Sequence, residues 1–154
     1  MKKSVDFHFE HPEDSPGYLL WQITMLWQRK MKKALDQLDL THTQFVLLAA
    51  LGWLEKKSQE VTQIDIARHS NTDRMMASKV LRTLEAKALI TRREHPVDTR
   101  AKCITLSKKG LETLGKAIKI VENADLDFFA PLGKNADLFT MEMQHLIREN
   151  ADDF

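Results

Sequence analysis

Arg74, Met75, Ser78, Lys79 and Arg82 stand at positions i, i+1, i+4, i+5 and i+8. Wound into a helix, that spacing places them on one face. Cations beside a hydroxyl on such a face can touch phosphates and base edges together, and a helix has the width that the DNA major groove admits. A solvated amphipathic helix is the plain alternative. The next segment weighs against it, because Arg92, Arg93, Arg100 and Lys102 flank the turn-forming stretch Pro96-Val97-Asp98-Thr99. A cationic hairpin tip beside a groove helix can enter the adjacent minor groove, where narrow A·T tracts concentrate negative potential. Asp98 facing DNA would be repelled by phosphate. Its expected task is to hold Arg100 by a short-range ion pair, although aspartate also serves a turn by itself.

Other chemistries find no matching pattern. There is no Ser/His/Asp arrangement, phosphate-binding Walker loop, dinucleotide glycine pattern or paired-carboxylate motif, so no enzyme activity and no cofactor are expected. The six histidines (8, 11, 42, 69, 95 and 145) show no His-x₃-His or Cys/His spacing, so no metal site is expected. Cys103 is the single cysteine; it cannot form an intramolecular disulfide, and on a strand it reads as a small buried hydrophobe.

The 154 residues suffice for one domain with a real core, and 43% apolar with 29% charged side chains describes a globular chain. Charge is unevenly spread. Residues 1–40 hold six basic and six acidic side chains, residues 41–107 eleven and seven, and residues 108–154 six and nine. A basic centre with an acidic end suits a nucleic-acid-facing module joined to a separate association region. The first residues lack the apolar core of a secretory signal, and the longest apolar stretch, Phe45 to Leu54, is about half a membrane span. The expected location is the cytoplasm, with no membrane partner.

The elements that must position these side chains are mostly helices. Residues 1–14 show no periodicity and read as a loose arm. Ser15-Pro16 opens a long amphipathic helix over about 16–38, with Leu20, Ile23, Trp27 and Met31 on its apolar stripe. Thr41 and Gln44 form a capping box before a second helix, about 42–56, apolar nearly all round and therefore central. Thr62 caps a third over about 62–69, and a tight turn leads to a fourth over about 73–87. Two short strands, about 89–95 and 101–106, make a hairpin. Ser107 caps a fifth helix, about 108–129, and a sixth spans about 135–149. The fold class is therefore mainly α with a small β-hairpin wing: a winged helix-turn-helix of about six helices. Residues 1–154 read as a single domain, with a winged lobe at 41–107 and association helices at 16–40 and 108–150.

Residues 41–110 resemble the MarR family of bacterial regulators, through the stretches LTHTQFVLLAAL, VTQIDIARHSNTDRMMASKVLRTLEAKALITR and DTRAKCITLSKKG. The Asp98-x-Arg100 pair before Leu106-Ser107-x-x-Gly110 is similar to that family's wing signature. The resemblance implies a homodimer built from the first, fifth and sixth helices, whose apolar stripes suit that role. It implies two recognition helices reading a near-palindrome. It places Arg100 at the minor groove with Asp98 as support, and Arg74, Ser78 and Lys79 near the major groove. It also implies a regulator, usually a repressor, that a small-molecule effector can release. Trp21, Trp27 and Trp53 are candidates to line an effector cleft between the first and second helices, with core or dimer positions as the alternative. Two departures stand out. Ala88 replaces a glycine suited to a left-handed helix cap, which leads us to expect a different helix ending, and Met75-Met76 replaces small hydroxyl residues. A winged-helix interaction module without DNA binding is the competing reading; its sign would be a neutral recognition face.

Overall fold

The computed structural model describes residues 5–98 and 100–151. Six α-helices and one hairpin follow in the expected order: α1 (Pro16–Leu35), α2 (His42–Leu54), α3 (Gln63–His69), α4 (Arg74–Ala86), β1 (Ile90–Glu94), β2 (Lys102–Leu106), α5 (Lys108–Phe129) and α6 (Ala136–Glu149). The first helix is shorter than its apolar period suggests, because residues Asp36–Leu38 tighten into a 3₁₀ turn that ends at Asp39 in the left-handed region. The expected N-terminal arm is not wholly irregular: Pro12–Asp14 forms a 3₁₀ turn closed by His11. Its first four residues, and Thr99 of the expected hairpin turn, lie outside the described residues.

Local chemistry sets most boundaries. Ser15 Oγ accepts the Tyr18 amide at 3.3 Å, with Pro16 opening the helix. Thr41 and Gln44 exchange side-chain and backbone hydrogen bonds at 3.1 and 3.2 Å, and Thr62 with Asp65 does the same at the start of α3. Each such cap is worth about 1 kcal/mol. α2 runs through the centre, with Leu47, Leu48 and Leu51 fully buried against Ile66 of α3, Leu81 of α4 and Leu114 of α5. The hairpin pairs Ile90 with Leu106 and Glu94 with Lys102 in antiparallel register. Cys103 is fully buried, as expected of a small hydrophobe. Val61 extends the hairpin by accepting the Ile104 amide at 2.8 Å, a third short pairing that clamps the wing base to the entry of α3.

Contrary to expectation, α4 ends as a glycine-capped helix would. Ala88 adopts φ 58°, its amide donates to Glu85 at 2.8 Å, and the Leu89 amide reaches back to Leu84 at 2.9 Å. Those are the two hydrogen bonds of a Schellman cap. The buried pair Leu84 and Leu89 and the bond from Ser107 Oγ to the Ala88 carbonyl at 2.7 Å hold the alanine there.

α1 packs on α5, and the Trp27 indole donates to Asp125 at 2.7 Å across that contact. Only the C-terminal half of α1 is covered: Met31 and Leu35 are fully buried, whereas Leu20, Trp21 and Leu26 lie open. α6 buries no residue at all, and its Leu138, Met141, Leu146 and Ile147 are 56 to 70% exposed.

Candidate nucleic-acid interface

α4 is two-faced. Ala77, Leu81 and Leu84 are fully buried against the core, while Arg74, Met75, Lys79 and Arg82 are exposed on the other side and Ser78 is half-buried beside them. The five expected groove residues therefore share one face. Within it, Arg82 Nη2 donates to Ser78 Oγ at 3.1 Å, which orients the guanidinium along the helix. Asp73 caps the helix, its Oδ1 accepting the Met75 and Met76 amides at 2.8 and 2.9 Å. Among the described residues, Arg74, Lys79 and Arg82 have no acidic side chain within ion-pair distance.

The wing sorts its four cations. Arg92 Nε lies 3.0 Å from Glu85 Oε2, tying the hairpin to α4, yet its Nε and Nη2 are sealed from solvent without a well-directed hydrogen bond among the described residues. Arg93 Nη2 donates to the Gln59 carbonyl at 2.7 Å. Lys102 faces Glu94 across the strands at 3.7 Å. Arg100 alone of the four has its side chain unengaged among the described residues.

The expected ion pair between Asp98 and Arg100 does not form. Asp98 Oδ1 accepts the Arg100 backbone amide at 3.0 Å, so the carboxylate folds the turn and leaves the guanidinium free. His95, which the sequence reading did not single out, supports the same turn, its Nδ1 accepting the Val97 and Asp98 amides at 3.2 and 3.0 Å. A His directly before a Pro-x-Asp turn was the available signal. Arg92, Asp98, Arg100 and Lys102 line a shallow cavity of about 370 Å³ with Thr62, Gln63 and Ile64 at the start of α3. The wing and the helix-turn-helix thus share one groove.

The three tryptophans do not converge on a cleft. Trp21 and Trp53 are 61 and 51% exposed, with Lys56 Nζ 4.7 Å above the Trp53 ring, and Trp27 packs at the edge of the core. A cleft of about 570 Å³ does lie between α1, the start of α2 and the end of α4, but Arg29, Lys32, His42 and Lys87 line it and no tryptophan does. His42 sits edge-on to Trp27 at 4.8 Å. Burial pushes its pKa below the ordinary 6.5, with Asp125 opposing in part. Among the described residues no cluster of His, Cys, Asp or Glu could hold a metal ion, and no helix is long and apolar enough to cross a membrane.

Known proteins share this arrangement. The family model of the ArnR1-like winged-helix domain matches residues 36–123. The chain is 44% identical over 140 residues to the uncharacterized HTH-type transcriptional regulator YdcH of Bacillus subtilis, covering 91% of this chain and 95% of that one. The S. aureus MepR–DNA complex superposes with a TM-score of 0.77 at 25% identity, over 89% of this chain and 97% of that one. A mutant MarR from E. coli, complexed with operator DNA, gives 0.75 at 18%, over 92 and 97%. The chain belongs to the ArnR1-like winged-helix family and is an HTH-type transcriptional regulator, with the fold that MarR also has.

Proposed function

We propose that the protein acts as a homodimer on a near-palindromic operator. One α4 enters the major groove of each half-site, and Arg100 of each wing enters the neighbouring minor groove. One observation carries this: Arg74, Lys79, Arg82 and Arg100 are left without acidic partners among the described residues, whereas Lys87, Arg92 and Lys102 are each paired with one. These four cations on the exposed face of α4 and at the wing tip are therefore available to the phosphates of a duplex laid across both. Arg92, Arg93 and Lys102, given their internal partners, support the wing and meet at most the phosphate backbone. Ser78 and Met75 face base edges, and Asp98 shapes the tip.

The association surface follows from what the chain leaves uncovered. Leu20, Trp21 and Leu26 of α1, the apolar row of α6, and Leu111 and Leu126 of α5 are all exposed, so each of the three helices leaves large apolar side chains uncovered. A second copy covers them by symmetry. The three-charge acidic excess of residues 108–154 keeps DNA off that body. As a reader of chromosomal DNA the protein works in the cytoplasm, on the nucleoid, and represses where its operator overlaps a promoter. The 570 Å³ cleft touches α1 and the end of α4 at once, and is the place for a small effector to release DNA.

The test is selection of bound duplexes from a random pool, followed by titration across salt. The expected product is a near-palindrome with half-sites about 10 base pairs apart. The four cations of α4 and the wing tip, doubled in the dimer, give a log–log salt slope of about −7. A folded dimer that enriches no duplex, with a slope near zero, would establish the protein-interaction reading instead.

A further inference from the structure

We infer that the methionine pair at the front of α4, Met75 and Met76, selects thymine in the operator half-site by packing on its 5-methyl group. The inference rests on α4 being the major-groove helix. Both side chains are large, apolar and open, Met75 at 83% and Met76 at 52% exposure. Met75 stands opposite the buried stripe of Ala77, Leu81 and Leu84, so it occupies the crest of the exposed face rather than its margin. Lys79 follows one turn later and Arg82 two turns later on nearly the same line. Charge complementarity names a polyanion as the occupant of this face. The apolar crest then requires an apolar group within that polyanion. In the major groove that group is the thymine methyl, since the other bases present hydrogen-bond donors and acceptors there.

The front of the helix has little else to read with. Asp73 already accepts the Met75 and Met76 amides, so these two donors are not free for a phosphate or a purine acceptor. The Asp73 carboxylate also offsets the positive end of the helix. Ser78 Oγ accepts from Arg82 and keeps only its own O–H to donate. Hydrogen-bonded readout therefore rests on Arg74, Ser78 and Lys79, and the crest of the first turn is left to the thioethers. Methionine suits the task because its unbranched, polarizable chain can settle on a methyl group without fixed geometry.

The probe is the duplex that the full-length protein selects from a random pool, with half-site thymines replaced by deoxyuridine, which keeps base pairing and removes only the methyl. Anisotropy titrations at fixed salt should show, at one or two positions, a loss of about fourfold per methyl removed, and about fifteenfold when both half-sites are changed. Met75→Ala should bind the thymine duplex more weakly by a similar factor and no longer distinguish it from the deoxyuridine duplex. Its unfolding midpoint should stay at the wild-type value, because the side chain is exposed. Arg82→Ala should lose affinity but keep the distinction. Wild-type binding that ignores deoxyuridine at every position, or a selected half-site without thymine, overturns the methionine assignment while leaving DNA binding intact. So does a Met75→Ala, Met76→Ala double variant that still discriminates. Failure to enrich any duplex overturns both.

Discussion

Gly110, in the first turn of α5, lies against the backbone of Leu89 so closely that a Cβ at Gly110 would stand 1.8 Å from the Leu89 carbonyl oxygen. The same carbonyl accepts the Ser107 amide at 3.0 Å, and Ser107 Oγ accepts the Gly110 amide at 2.9 Å. The end of α4, the base of the wing and the start of α5 are thereby fused into one joint. Gly110→Ala must move backbone rather than a side chain. It should destabilise the fold by about 3 kcal/mol, lowering the melting temperature by about 6 to 12 °C. A melting curve within a degree or two of wild type would show that the joint yields easily.

Ala88 gives the opposite sign. Its left-handed φ of 58° is strained for any residue with a Cβ. Ala88→Gly should stabilise by about 0.5 kcal/mol, the relief of strain outweighing the added freedom of the unfolded chain. Urea midpoints at equal m-value would show it, and a destabilised glycine variant would contradict the cap described for α4.

The Asp98 contact to the Arg100 amide separates two accounts of the wing tip. Asparagine keeps an oxygen to accept that amide, and alanine does not. Asp98→Asn should therefore bind operator within about twofold of wild type, and Asp98→Ala should bind several-fold more weakly. Arg100→Ala should lose about tenfold or more while the dimer persists. If Asn proved as damaging as Ala, a charge–charge role for Asp98 would be restored.

His42 ties stability to pH. Burial holds the folded imidazole below its ordinary 6.5, so the unfolded chain takes up this proton more readily. The resulting stability is complete above about pH 6.5 and is lost as pH falls from there through the lower folded value. Urea midpoints at pH 7.5 and 5.5 should differ in that direction for the wild type, and differ less for His42→Gln. An unchanged difference in the variant would assign the pH dependence to other groups.

Ile147 probes association. Ile147→Glu places a charge on the exposed apolar row of α6, at a side chain that is 70% exposed. The expected outcome is a folded monomer by light scattering that has lost most operator affinity, because only one half-site is read at a time. A dimer of unchanged mass would move the association surface elsewhere.

Features set by neighbours in sequence were legible beforehand. α5 begins and ends where its period and the Ser107 cap place it, and Thr41 and Thr62 cap as their spacing requires. The recognition face was legible for the same reason: a 3.6-residue period decides it. Side chains whose partners lie far along the chain were not. Arg93 is held by the Gln59 carbonyl, 34 residues earlier, and Trp27 by Asp125, 98 residues later. Nothing in a local pattern tells a cation destined for a carbonyl from one left facing solvent. Ala88 misled for another reason: residue preference reflects average strain, and here packing of Leu84 on Leu89 and the Ser107 bond override it.

α6 is a helix with nothing of its own to hide. Fourteen residues without a buried side chain lie near the length at which an isolated helix is only marginally stable in water. In the proposed homodimer its order would be supplied by the second copy, and supplied by mass action. The amount of regulator in the cell would then set how much of α6 is ordered. Dilution would both vacate the operator and fray the chain from this end, coupling the lifetime of the protein to its own abundance.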